Sequence, residues 1–120
     1  MKTRQAIDDQ IDFCKRIVCE FFTLTQDDLI GTDQKLRRVE ARRICAYLLI
    51  NAVELECPEV AQLMRRDEKT IVQWLWEIRD CLETNRDYCD LVLDMVNRVQ
   101  AFNEHVAQIE EEAHEYPTPS

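Results

Sequence analysis

The stretch PEVAQLMRRDEKTIVQWLWEIRDCLET, residues 58–84, decides the fold. It reads as two helices joined by a sharp corner. Pro58 suits the first turn of a helix, where its missing N–H leaves nothing unbonded. Val60, Leu63 and Met64 then fall on the buried side of a short helix over about 58–64. Arg65-Arg66-Asp67 forms a tight joint. Asp67 is an N-cap residue, able to accept from the backbone N–H of Lys69 or Thr70. The helix it starts shows Ile71, Leu75, Ile78 and Leu82 in steps of 4, 3 and 4, with Trp74 beside the stripe. Asn85 ends it. A short helix, a three-residue joint and a longer helix make a candidate helix-turn-helix.

Working upstream, a helix over about 35–53 buries Val39, Ile44, Tyr47, Leu48 and Val53, and Ala41 and Ala46 permit close contact. Asp33 or Thr32 is expected to open it. Its first half gathers Lys35, Arg37, Arg38, Arg42 and Arg43 against Glu40 alone. Before it, Thr25 caps a short helix over 26–30, with Asp28 at the capping-box position and Gly31 ending the turn. Ile7, Ile11, Cys14, Val18 and Phe21 mark an amphipathic helix from 7 to 22.

Downstream, Tyr88, Val92, Met95, Val99, Phe102, Val106 and Ile109 repeat at heptad spacing. Such a stripe wants a long partner. Two partners fit: the N-terminal stripe of the same chain, or a second copy in a homodimer. The expected organisation is a helix-turn-helix domain over 1–98, a helical extension over 99–113, and a disordered acidic tail over 114–120 containing Pro117 and Pro119.

One glycine, Gly31, in 120 residues excludes much. Dinucleotide loops, phosphate-binding P-loops and nucleophile elbows each need several glycines. Scarce glycine and proline with abundant Leu, Ile, Val, Glu, Arg and Gln point to an all-α protein. The N-terminal MKTRQAIDDQ has no apolar h-region, and no apolar run approaches a membrane span, so a cytoplasmic setting without membrane contact is expected. Cysteines 14, 19, 45, 57, 81 and 89 lack a CxxC pair and lie far from His105 and His114, so they read as reduced small hydrophobes rather than metal ligands. Trp74 and Trp76 read as core and boundary packing. The acid pairs Asp8/Asp9 and Asp27/Asp28 show no catalytic environment. No enzyme activity, cofactor or small-molecule substrate is expected.

Four segments resemble one family in order. They are VCEFFTLTQDDL (18–29), RVEARRICAYL (38–48), LECPEVAQLM (55–64) and DEKTI (67–71). Together they are similar to the C-terminal, origin-binding domain of the bacterial replication initiator DnaA, an all-α domain of the Trp-repressor-like helix-turn-helix class. The resemblance implies double-stranded DNA as partner, with Asp67, Glu68, Lys69 and Thr70 reading base edges in the major groove and Arg66 and Gln73 flanking them. It implies that Arg42 reaches the minor groove, that Arg43 joins it on the backbone or in that groove, that Lys35, Arg37 and Arg38 meet phosphates, and that Pro58 starts a helix near phosphate. The chain departs from the family pattern at Glu68, where the family has histidine, and at Lys69, where it has threonine. Glutamate accepts from cytosine N4 and cannot donate to purine acceptors. The alternative reading follows from this: a protein-interaction or regulatory module that keeps the fold and has lost recognition of the family's DNA box.

The net charge of −9 opposes DNA at first sight. Its distribution does not. Residues 1–30 carry −2 (4 bases, 6 acids), 31–79 carry +1 (9 bases, 8 acids), and 80–120 carry −8 (2 bases, 10 acids). The segment 35–43 alone is +4. Screening over about 8 Å at physiological salt lets a short-range basic face act.

Overall fold

Ile44, Cys45, Leu48 and Leu49 sit on a helix that every other helix of the molecule touches. The computed structural model describes residues 3–115, with side chains described through residue 109. Six helices follow in order among the described residues: α1 (Arg4–Phe22), α2 (Gln26–Ile30), α3 (Leu36–Asn51), α4 (Cys57–Met64), α5 (Glu68–Thr84) and α6 (Arg86–Glu115). The fold is all-α, as expected. Residues 116–120 of the expected tail lie outside the described residues, and α6 runs through residues 114 and 115.

The central position of α3 explains its composition. A helix surrounded on all sides needs small residues where neighbouring backbones come close. Ala41, Cys45, Ala46 and Ala52 provide that clearance, all buried. Each large aliphatic between them contributes about 1.5–3 kcal/mol by leaving water. Neither Thr32 nor Asp33 caps α3. The N-cap position is Lys35, without a side-chain cap, because the Asp33 carboxylate is drawn to two arginines instead.

The other ends follow the sequence more closely. Thr25 and Asp28 form the expected capping box, with Asp28 N–H donating to Thr25 Oγ1 at 3.2 Å and Thr25 N–H to Asp28 Oδ2 at 2.9 Å. Asn85 closes α5 through its N–H to the Cys81 carbonyl and opens α6 by accepting from Tyr88 N–H at 3.1 Å.

α1 packs against both α3 and α6. Phe13 of α1 stacks on Phe102 of α6, with ring centres 4.3 Å apart and planes within 1°. Asn103 Nδ2 donates to the Ala52 carbonyl at 2.8 Å, fastening α6 to the end of α3. Along α6, Val92, Met95 and Val99 are buried, whereas Ile109 at the far end of the stripe is 51% exposed. Phe21, assigned to the α1 stripe, is exposed; Ile17 and Cys19 take the inner positions, and Phe21 rests edge-on against Phe22.

All six cysteines are free thiols. Burial pushes the Cys45 thiol up to about 12 and raises Cys14 and Cys19 as well. Among the described residues no group of three metal-ligating side chains gathers, and no helix is long and apolar enough to cross a membrane.

Candidate nucleic-acid interface

The corner between α4 and α5 is built as the sequence suggests. Arg65 takes a left-handed conformation (φ 54°), and its N–H returns to the carbonyls of Ala61 and Gln62. Arg66 N–H reaches the Ala61 carbonyl at 2.9 Å. Asp67 occupies the N-cap of α5, but its carboxylate makes no capping hydrogen bond. The N–H groups of Thr70 and Ile71 use its backbone carbonyl, at 3.0 and 3.2 Å. Pro58 stands exposed in the first turn of α4, where Glu59 Oε1 accepts from Glu56 N–H at 3.4 Å.

One face of α5 is fixed in the core by Ile71, Trp74 and Ile78. The opposite face presents Glu68, Lys69, Val72, Gln73 and Trp76, which line an open concavity of about 460 Å³. Thr70 is half-buried at the edge of this face. Gln73 Nε2 donates to Glu77 Oε1 at 3.1 Å, which orients the amide along the helix. Trp76 does not pack at the core boundary as expected. It is 64% exposed, because two residues beyond Trp74 is about 200° around the helix, on the solvent side. Its face is met by Arg79, with the guanidinium carbon 6.0 Å from the ring centre.

The basic run on α3 divides into free and engaged members. Lys35 and Arg37 are exposed, with Leu36 between them. Arg38 is held by Asp33 and, at 3.4 Å, by Asp28. Arg43 pairs with Glu40 at 3.0 Å and lies 2.7 Å from a Glu77 carboxylate oxygen, an ion pair whose N–H is not aimed as a hydrogen bond.

Arg42 overturns its assignment to the minor groove. It is 1% exposed and points inward. Nε lies 3.2 Å from the carbonyls of Asp28 and Leu29, Nη2 donates to the Asp28 carbonyl at 2.8 Å, and Nη1 donates to the Asp33 carbonyl at 2.6 Å. Nη2 also meets Asp33 Oδ1 at 2.5 Å. The physical reason is the short α2, whose last carbonyls have no partner within their own helix. A guanidinium brings five donors to that need.

Arg66 plays a similar part and is not free beside the outer face of α5, where the resemblance put it. Its Nη1 reaches the carbonyls of Ile30 (3.4 Å), Met64 (3.3 Å) and Arg65 (3.2 Å), and Nη2 donates to the Gly31 carbonyl. The guanidinium lies over Trp74, 5.9 Å from its ring centre. Burial and the nearby Arg42 lower its basicity. The hydrogen bond from Arg42, followed by that from Arg38, holds the Asp33 carboxyl below its ordinary range. Asp28 is lowered first by its bond from the Thr25 backbone.

The arrangement defines a class: an all-α helix-turn-helix module whose second helix presents a polar, partly apolar outer face. The chain belongs to the family of the bacterial dnaA protein helix-turn-helix, whose model matches residues 11–75, more than half of the chain. It is similar to chromosomal replication initiator proteins DnaA: 27% identical over 86 residues to that of Corynebacterium jeikeium, 28% over 92 to that of Cutibacterium acnes, and 29% over 82 to that of Leifsonia xyli. These alignments cover 71%, 73% and 68% of the chain but only 15%, 18% and 17% of the relatives.

Proposed function

We propose that this chain binds double-stranded DNA through α4 and α5, in chromosome replication initiation or its regulation, with the first two turns of α5 in the major groove. The observation that carries the reading is the outer face of α5. Glu68, Lys69 and Gln73 stand exposed there on a helix whose inner face is locked by the core. Lys69 can donate to guanine O6 and N7, Glu68 can accept from cytosine N4, and Gln73 matches adenine N6 and N7. Thr70 and Asp67 border these readers. Lys35 and Arg37 meet phosphates, while Arg38 and Arg43 contribute positive potential partly neutralised by their acids. Arg42 and Arg66 shape the interface from within. Membership of the family and likeness to named replication initiators support this reading, and the cytoplasm is where such a duplex is reached. No catalysis is assigned to these residues.

Fluorescence anisotropy against a random duplex pool at low salt tests the reading. Saturable binding that weakens steeply with salt is the expected result. A flat titration would sink it. The rival, a protein-interaction module on the same fold, is favoured by one observation: Val72 and Trp76 are exposed on the very face that carries Glu68.

A further inference from the structure

The outer face of α5 carries apolar groups that hydrogen bonding to base edges leaves unused. Val72 is 41% exposed and Trp76 64%. They follow Glu68 at i+4 and i+8, so they stand on successive turns about 6 Å apart along the helix. Both line the concavity that Glu68, Lys69 and Gln73 also line. The valine is thus an apolar contact set among polar readers.

The major groove offers such a contact one principal match, the C5-methyl group of thymine. A cytosine methylated at C5 would carry the same group at the same edge. One helical turn spans about two base-pair steps of 3.4 Å. We propose that Val72 is a methyl-reading residue: it packs on the C5-methyl of a pyrimidine within two base pairs of the cytosine whose N4 amino group Glu68 accepts. Trp76, braced by Arg79, walls the far side of that contact. The inference rests on the DNA-binding reading and deepens it by naming the chemical group recognised.

The test starts from a duplex selected out of a random pool. Each thymine is replaced singly by deoxyuridine, which removes only the methyl, and each cytosine singly by 5-methylcytosine, which adds one. Affinities are measured by anisotropy at fixed salt for the wild-type chain and for Val72→Ala, whose exposed position leaves the fold intact by circular dichroism. If thymine supplies the methyl, deoxyuridine at one position weakens wild-type binding about fourfold, the value of one buried methyl. If cytosine supplies it, 5-methylcytosine at one position strengthens binding by a similar factor. In either case Val72→Ala abolishes the difference. Wild-type binding that is saturable yet blind to every methyl change would overturn this inference alone, as would Val72→Ala with full discrimination. A flat titration with every duplex would overturn the DNA reading and the inference with it.

Discussion

Arg66, in the joint before α5, donates its guanidinium to the carbonyl of Gly31, beyond the end of α2 and thirty-five residues earlier in the chain. Arg42 grips the same short segment from α3 through the carbonyls of Asp28, Leu29 and Asp33. Residues 28–33 are therefore clamped between two arginines. The segment leads directly into Lys35 and Arg37, so the clamp ties the position of these exposed basic side chains to the start of α5.

Replacing Arg66 with methionine keeps the packing over Trp74 and removes the donors. The carbonyls of Ile30 and Gly31 lose this partner, and stability should fall by about 1–3 kcal/mol. Urea denaturation checks this through the midpoint at unchanged slope. An unaltered midpoint would show that the clamp contributes nothing.

Arg42 and Arg37 should behave as opposites. Arg42→Leu strands three carbonyls and a carboxylate, and a loss of about 3–5 kcal/mol is expected. Arg37→Ala and Lys35→Ala should change stability by no more than about 0.5 kcal/mol. Each should instead flatten the salt dependence of duplex binding by about one unit of slope. A normal midpoint for Arg42→Leu would refute its structural role.

Acid should loosen the clamp. The folded-state pKa of Asp33 lies below the ordinary carboxylate value of 3.8, chiefly because of its hydrogen bond from Arg42. A depressed carboxyl stabilises the fold at pH above its unfolded value and loses that contribution as pH falls through the folded value. Stability should thus be level above about pH 5 and decline below about pH 4. In Asp33→Asn that acid limb should be shallower, as read by thermal melts between pH 2 and 7.

Much of this was visible in the residues themselves. The steps of Ile71 and Ile78, the capping pair Thr25 and Asp28, and the joint at 65–67 report local geometry, and local geometry is what spacing encodes. The burial of Arg42 is not legible in the sequence, for the opposite reason. Nothing about an arginine in a basic run says that carbonyls of another helix end await it. The same holds for Asp33, since a cap and a partly buried ion pair use the same carboxylate. Trp76 was recoverable: counting the angle from Trp74 puts it on the outer face of α5. The DNA-facing roles proposed for Glu68 and Lys69 rest on the family resemblance; both side chains stand exposed on α5.

Thiol chemistry separates the cysteines. Cys14 and Cys45 are fully buried with raised pKa values, whereas Cys57, Cys81 and Cys89 are half-buried. The thiolate is the reactive form. Brief alkylation of the native chain followed by mass spectrometry should mark 57, 81 and 89 first, and 14 and 45 only in denaturant. Early modification of Cys45 would contradict the packing of α3.

Thr23, Glu54 and Arg65 all have positive φ (56°, 69° and 54°), each a residue with a side chain in backbone that glycine adopts freely. The one glycine, Gly31, has φ −69° and needs no such freedom; its missing Cβ instead leaves room 3.4 Å from Arg42 Nη2. The chain thus stands below its own attainable heat tolerance. Glycine at each exposed corner should raise stability by about 0.5–1 kcal/mol, the left-handed cost removed less the extra freedom glycine loses on folding. At 23 and 54 this would leave every group on the outer face of α5 untouched. A hardier version of this molecule would be made at its bends, not in its core.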